Sequence, residues 1–262
     1  MKPIRIRRGN SPVILALPHT GTYVPKDIEA RLNSTGRKLA DTDWHVDRLY
    51  RGLLPGASIV RANFHRYVID ANRDPSGASL YPGQNTTGLC PETDFDGREI
   101  YMAGQAPESD EIERRRLAFH APYHETIESE ITRLRKIHKT VVLYDCHSIR
   151  SRVPFLFEDV LPDFNIGTNG GVTCSSRLEK LTAEICKNAQ GFSSVVNGRF
   201  KGGWTTRHYG NPSAGVHAIQ MELAQSIYMD EAPPWTYQPK RARDARRVLR
   251  TLLSAIENFA LS

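Results

Sequence analysis

Short apolar runs alternate along this chain with charged stretches of helical period, the pattern of a sheet whose strands are joined by helices. Residues 12–17 read as a first buried strand, broken at Pro18-His19-Thr20-Gly21. Asp41-Thr42-Asp43 looks like a helix start, with Val46, Leu49, Tyr50 and Leu53 as the apolar face of the helix that follows. Ser58–Ala62 and residues 67–71 suggest two more strands, the second leading into Asn72-Arg73. Residues 76–107, rich in Gly, Pro, Asn and Thr, predict an irregular segment of the kind that forms a lid or substrate-binding flap. A helical region begins at Ser109-Asp110-Glu111 and runs towards His138, with Pro122 as a kink or break.

The chain is organised around residues 139–148, a β-branched and aromatic run that ends on Asp145, Cys146, His147 and Ser148. Strand ends above the carboxyl edge of an α/β sheet are favoured ligand sites, because loops there hold side chains over a rigid platform. Residues 155–157 and Phe164–Gly167 predict short strands, 176–189 a helix, 194–197 a strand, and 198–212 a glycine-rich, basic loop. Val216–Ala224 is a strand by alternation, with Ile219, Met221 and Leu223 on one face and Gln220 and Glu222 on the other. A final helix follows Pro239. The implied fold class is an α/β sandwich around a mixed, mostly parallel sheet. With 262 residues and neither linker nor internal repeat, a single domain spanning residues 1–262 is expected.

Composition narrows the function classes. Hydrophobic residues at 39% and charged ones at 24% suffice for a core and exclude disorder. No apolar run approaches the ~18 residues of a membrane span, and the start lacks a signal-peptide apolar region, so a soluble, cytoplasmic protein without membrane partners is expected. Cys90, Cys146, Cys174 and Cys186 have no C-x-x-C spacing, which argues against a disulfide frame or a thiolate metal site. The formal charge of +6 could serve nucleic acid. Its bases are interleaved with acids except near Arg241 to Arg250, where Val248, Leu252 and Ile256 give helical spacing and the arginines one solvated face. A small anionic substrate fits the charge equally well, and since the sequence has no base-stacking motif, no nucleic-acid partner is expected.

Three polar clusters contain metal-type ligands: His19, the group Asp41, Asp43, His45 and Asp47, and the pair Asp145 and His147. Two histidines and one carboxylate would meet the needs of catalytic zinc, although no H-E-x-x-H pair ties two ligands together. Buried histidines satisfied by carbonyls, and aspartates acting as N-caps, are the structural alternatives. Arg66, Asn72 and Arg73 suit carboxylate recognition, with Asp70 able to orient an arginine, and a structural ion pair is the alternative. Glu222 lies in an apolar strand, where burial raises a carboxyl pKa towards the range of a general base; a core salt bridge is the alternative.

Pro18-His19-Thr20-Gly21, Asp41-Thr42-Asp43-Trp44, the stretch from Arg66 to Arg73, Asp145-Cys146-His147-Ser148, the stretch from Gly202 to Gly210 and Gln220-Met221-Glu222-Leu223 occur in this order in the N-formylglutamate amidohydrolase family, which the chain resembles from about residue 11 to 231. The resemblance implies a three-layer α/β/α sandwich of the zinc carboxypeptidase and aspartoacylase type. It implies one zinc, or another divalent metal, on His19, Asp43 and His147, with Glu222 as base and Arg66 at the oxyanion. Thr22 stands where carboxypeptidase-like enzymes place a glutamate, so the acidic ligand is drawn from Asp43 in preference to Asp41. The implied reaction is hydrolysis of N-formyl-L-glutamate to formate and L-glutamate, the last step of a histidine degradation route. Asn72 and Arg73 would hold one carboxylate, and Arg207 with Lys201 or His208 the other, unless that loop is a solvated turn. Asp145 then becomes a partner orienting His147, and Cys146 packing on the opposite face. A hydrolase of another N-acyl amino acid or peptide is the alternative reading.

Overall fold

The computed structural model describes residues 2–79, 83 and 85–262. Among the described residues seven strands form one sheet: β1 (Ile4–Arg7), β2 (Val13–Leu17), β3 (Ser58–Ala62), β4 (Val141–Ile149), β5 (Phe164–Gly167), β6 (Ser194–Val196) and β7 (Val216–Ala224). Their spatial order is β1-β3-β2-β4-β7-β5-β6. The middle strands β3, β2, β4 and β7 run parallel, as do β5 and β6, while β1 is antiparallel to β3 and β5 to β7. β2 and β4 are unbroken apolar runs for most of their length because both faces of the sheet are covered.

The helices, in chain order, are α1 (Lys26–Glu29), α2 (Val46–Tyr50), α3 (Ser109–Arg115), α4 (Ala121–Arg135), α5 (Ser176–Lys187), α6 (Trp204–Tyr209) and α7 (Pro239–Leu261). One face of the sheet, including Leu15, Tyr144, Cys146 and Met221, packs on α2, α5 and α7. The other, including Ile14, Leu143 and Ala218, packs on α4 and on residues 67–71. The result is a three-layer α/β/α sandwich around a mixed, mostly parallel sheet. Ser175 caps α5, its hydroxyl accepting from Leu178 N–H at 3.3 Å, and α7 opens on Pro239, where a missing N–H costs nothing. No helix among the described residues is long and apolar enough to cross a membrane.

Several elements differ from the sequence-based expectation. Residues 67–71 are buried but run as turns and irregular chain instead of a strand, because their main-chain groups find partners outside the sheet. Arg115 donates to Val68 O at 2.9 Å, and Asp70 N–H donates to Leu89 O at 2.7 Å. Residues 155–157 are likewise a turn, closed on Val153 O. α2 begins at Val46, after a left-handed His45, and no aspartate side chain caps it. The 198–212 loop contains α6. Pro122 does not break its helix: lacking an N–H, it follows a π-helical turn at Arg116–His120, in which Ala121 N–H reaches back to Arg116 O. Within the expected flap at 76–107, Leu80, Tyr81, Pro82 and Gln84 lie outside the described residues, and the remainder is irregular.

Candidate active site

The carboxyl ends of β2 and β4 bring together side chains from distant parts of the chain. His19 lies two residues beyond β2, and His147 is on β4, in register with Glu222 of β7. Asp43 comes from the segment before α2, tied down by its own N–H donating to His19 O at 3.0 Å. Nδ1 of His19 and Nδ1 of His147 are 3.2 Å apart, and Asp43 Oδ2 lies 3.8 Å from the first and 3.4 Å from the second. Asp41 faces elsewhere, accepting from Tyr67 OH at 2.8 Å and Phe95 N–H at 2.9 Å.

The outer nitrogens of the two rings are committed to carboxylates. His19 Nε2 lies 2.7 Å from Asp70 Oδ1, and His147 Nε2 lies 3.0 Å from Asp145 Oδ2. In the tautomers that carry the proton on Nε2, facing these carboxylates, both Nδ1 lone pairs point at the same place as the Asp43 carboxylate. Three electron-pair donors within 4.8 Å of one another, all buried, could hold a metal ion, and this donor set suits zinc. The guanidinium of Arg66 stands against His19 Nδ1, so the cluster already draws a cation to that spot. Burial pushes the His19 pKa down to about 4. Burial also opposes charge on His147, but Asp145, Asp43 and Glu222 outweigh it and hold the ring pKa well above its ordinary value. The two rings therefore differ: His19 stays neutral, while His147 favours positive charge beside three carboxylates.

Asp70 does more than orient an arginine. It also backs His19 and accepts from Asn72 N–H at 2.8 Å, while Arg73 Nη1 lies 3.6 Å from its other oxygen. Asn72 accepts from Thr205 N–H at 2.9 Å and places its amide nitrogen 3.1 Å from His147 Nε2. This contact explains Gly203: a Cβ there would fall 2.2 Å from Asn72 Nδ2.

Glu222 is buried beside the cluster, and burial pushes its pKa up to about 8, with His147 acting in the opposite direction. Gln220, on the same face of β7, donates to Glu222 Oε2 at 3.0 Å and accepts from Gly203 N–H at 2.6 Å. His19, Arg66, Asn72, Arg73, His147 and Glu222 share a cleft that opens to solvent.

Arg207, Lys201 and His208 do not line this cleft: Arg207 donates to Gly202 O at 2.9 Å, Lys201 is exposed, and His208 is stacked on Trp204. The cation there, with Arg66 and Arg73, is Arg199, which donates to Leu156 O at 3.0 Å and Asn85 O at 3.1 Å. The sequence assigned Arg199 no place at the site, and put Gln220 on the face of Glu222 without a role. The period-two alternation of β7, which puts Gln220 beside Glu222, was the available sign for the second.

The profile of the N-formylglutamate amidohydrolase family matches residues 11–229. The chain belongs to that family. It is 45% identical to the N-formylglutamate deformylase of Pseudomonas aeruginosa over 254 residues, 97% of this chain and 95% of that one. It is 43% identical to the enzyme of the same name from Pseudomonas putida, covering 97% and 96%. The crystal structure of an N-formylglutamate amidohydrolase from Ralstonia eutropha JMP134 shares the fold, with a TM-score of 0.82 at 24% identity and coverage of 99% and 98%. As a member of this family the chain is an amidohydrolase.

Proposed function

We propose that the substrate is N-formyl-L-glutamate, cleaved to formate and L-glutamate as the last step of a histidine degradation route. The observation that supports the reading is one cleft lined by Glu222, a buried carboxyl of raised pKa, by His19 and His147 of the His-Asp-His donor set, and by Arg66, Arg73 and Arg199. The names of the two Pseudomonas relatives support the same substrate.

Zinc, or another divalent cation, held by His19, Asp43 and His147 would lower the pKa of water to roughly 7 and polarise the formyl oxygen. Glu222 takes the proton as water attacks the formyl carbon, which requires its carboxylate form. Arg66, over the Phe95 ring with 4.8 Å from guanidinium carbon to ring centroid, holds the negative charge that develops on the formyl oxygen. Glu222 then delivers its proton to the amide nitrogen, because an amine anion is too poor a leaving group. Asn72 and Arg73 hold one glutamate carboxylate and Arg199 the other, in place of the anchor expected at Arg207. Formyl is small, so selection rests on this half of the substrate.

Metal analysis of the purified protein, combined with formate release from N-formylglutamate and acyl release from N-acetylglutamate and a short peptide, tests the reading. The expected result is one metal per chain and a strong preference for the formyl compound. Comparable rates on the acetyl compound or the peptide would replace it with a broader N-acyl hydrolase.

A further inference from the structure

Two histidines that no step above uses lie behind the cleft. His120 closes the π-helical turn and His124 follows one turn later in α4; both are buried, with ring centroids 4.4 Å apart. Each commits Nε2–H to a main-chain carbonyl, His120 to Arg73 O at 3.0 Å and His124 to Ala71 O at 2.8 Å. A carbonyl accepts only from a protonated nitrogen, so both rings present Nε2–H. Tyr209 OH lies 3.1 Å from His124 Nδ1, and Trp204 packs edge-on against the same ring at a centroid distance of 4.5 Å.

The helix is built to make these contacts. Arg115, before the π turn, donates to Val68 O at 2.9 Å, so one helical region grips the carbonyls of residues 68, 71 and 73 through positions 115, 124 and 120. In an unbroken α-helix, residues five apart point about 140° away from each other, and Arg115 and His120 could not both face this strip. The π turn at Arg116–His120, with its bonding over five residues, brings them back to one face.

The carbonyls held by the two histidines, those of Ala71 and Arg73, belong to the peptide units on either side of Asn72-Arg73. We infer that His120 and His124 are positioning residues for substrate recognition: they fix the main chain around Asn72-Arg73 so that the Arg73 fork meets the substrate carboxylate in one geometry. This inference rests on the reading of Arg73 as a carboxylate anchor.

The test is a cycle between His120→Phe, which removes the N–H donor at similar volume, and Arg73→Lys, which keeps the charge and loses the fork. It is read as the Kd of glutarate, an unreactive dicarboxylate, by calorimetry, and as KM and kcat for N-formylglutamate. His120→Phe should raise Kd and KM together by about tenfold with kcat within about threefold, His120→Gln should restore most of the loss, and in the Arg73→Lys background the Phe substitution should add less than about threefold. Equal losses in both backgrounds, a fall in kcat at unchanged Kd, or no effect overturns it, as does failure of the wild type to bind glutarate. If His120→Phe does not fold, His124→Phe with His124→Gln tests the Ala71 contact in the same cycle. Absence of formate release from wild type would remove the proposed substrate, while the glutarate cycle would still read the positioning role.

Discussion

His147 and Glu222 are register partners on the adjacent parallel strands β4 and β7, so their side chains rise side by side from one face of the sheet. Asp145 and Gln220 are partners in the same way two residues earlier. The four polar groups therefore form a block whose spacing is set by the strand separation and not by loops. Glu222→Gln keeps the shape and the contact with Gln220 while removing the base. The expected outcome is a loss of about 10²–10⁴-fold in kcat for formate release at unchanged metal content. In the wild type, kcat/KM should fall on the acid side as Glu222 is protonated, with a midpoint at or below about 8, since a cation at the neighbouring cluster lowers its pKa. Retained turnover in the Gln variant would remove Glu222 from the proton transfers.

The His19, Asp43 and His147 donors make a second expectation. Chelation should abolish activity, and adding back zinc should restore it. Bound metal stabilises the folded state by mass action, so Tm should also fall on chelation. Asp43→Asn should lose metal, whereas Asp41→Asn should retain it, because Asp41 accepts from Tyr67 and Phe95 and not from the cluster. Equal metal content in the two variants would contradict this division.

The parts of the site that lie on strands were legible because strand geometry is local. Alternation alone puts Glu222 on the polar face of β7, and the ends of apolar runs mark His19 and His147. Segments held by tertiary partners were not. Residues 67–71 have the composition of a strand, but whether a buried apolar run joins a sheet depends on where its hydrogen bonds go, and here Arg115 and Leu89 take them. Arg199 sits in a loop before α6, and its place in the cleft depends on carbonyls of Leu156 and Asn85, far away in sequence. The basic character of that loop pointed instead to Arg207, with Lys201 or His208 beside it.

Arg199 and Arg73 divide the carboxylates of the substrate in the proposed reading, so their losses should differ by ligand. Arg199→Ala should raise KM for N-formylglutamate by an amount equivalent to about 1.5–3 kcal/mol, the range for a hydrogen bond to a charged group. For an N-formyl amino acid with a neutral side chain, either Arg73→Ala or Arg199→Ala should have little effect on KM, depending on which arginine faces the side-chain carboxylate. Steady-state kinetics on the two substrates with both variants checks the assignment, and equal losses for both variants on both substrates would sink it.

Glu111 joins Arg31 and Arg115 at the back of the Arg66 to Arg73 stretch, with Arg31 Nη1 at 2.8 Å and Arg115 Nε at 2.9 Å. The hydrogen bond from Arg31, reinforced by that from Arg115, lowers the Glu111 pKa to about 2, against an ordinary value of 4.5. A carboxyl whose folded-state pKa is depressed contributes stability above its unfolded pKa and loses it as pH falls towards the folded one. Glu111→Gln should therefore be less stable than wild type at pH 6, and the gap should close between about pH 4.5 and pH 2. Urea midpoints for both proteins across that range measure it. A gap that stays constant down to pH 2 would mean that Glu111 acts through packing and not through its charge.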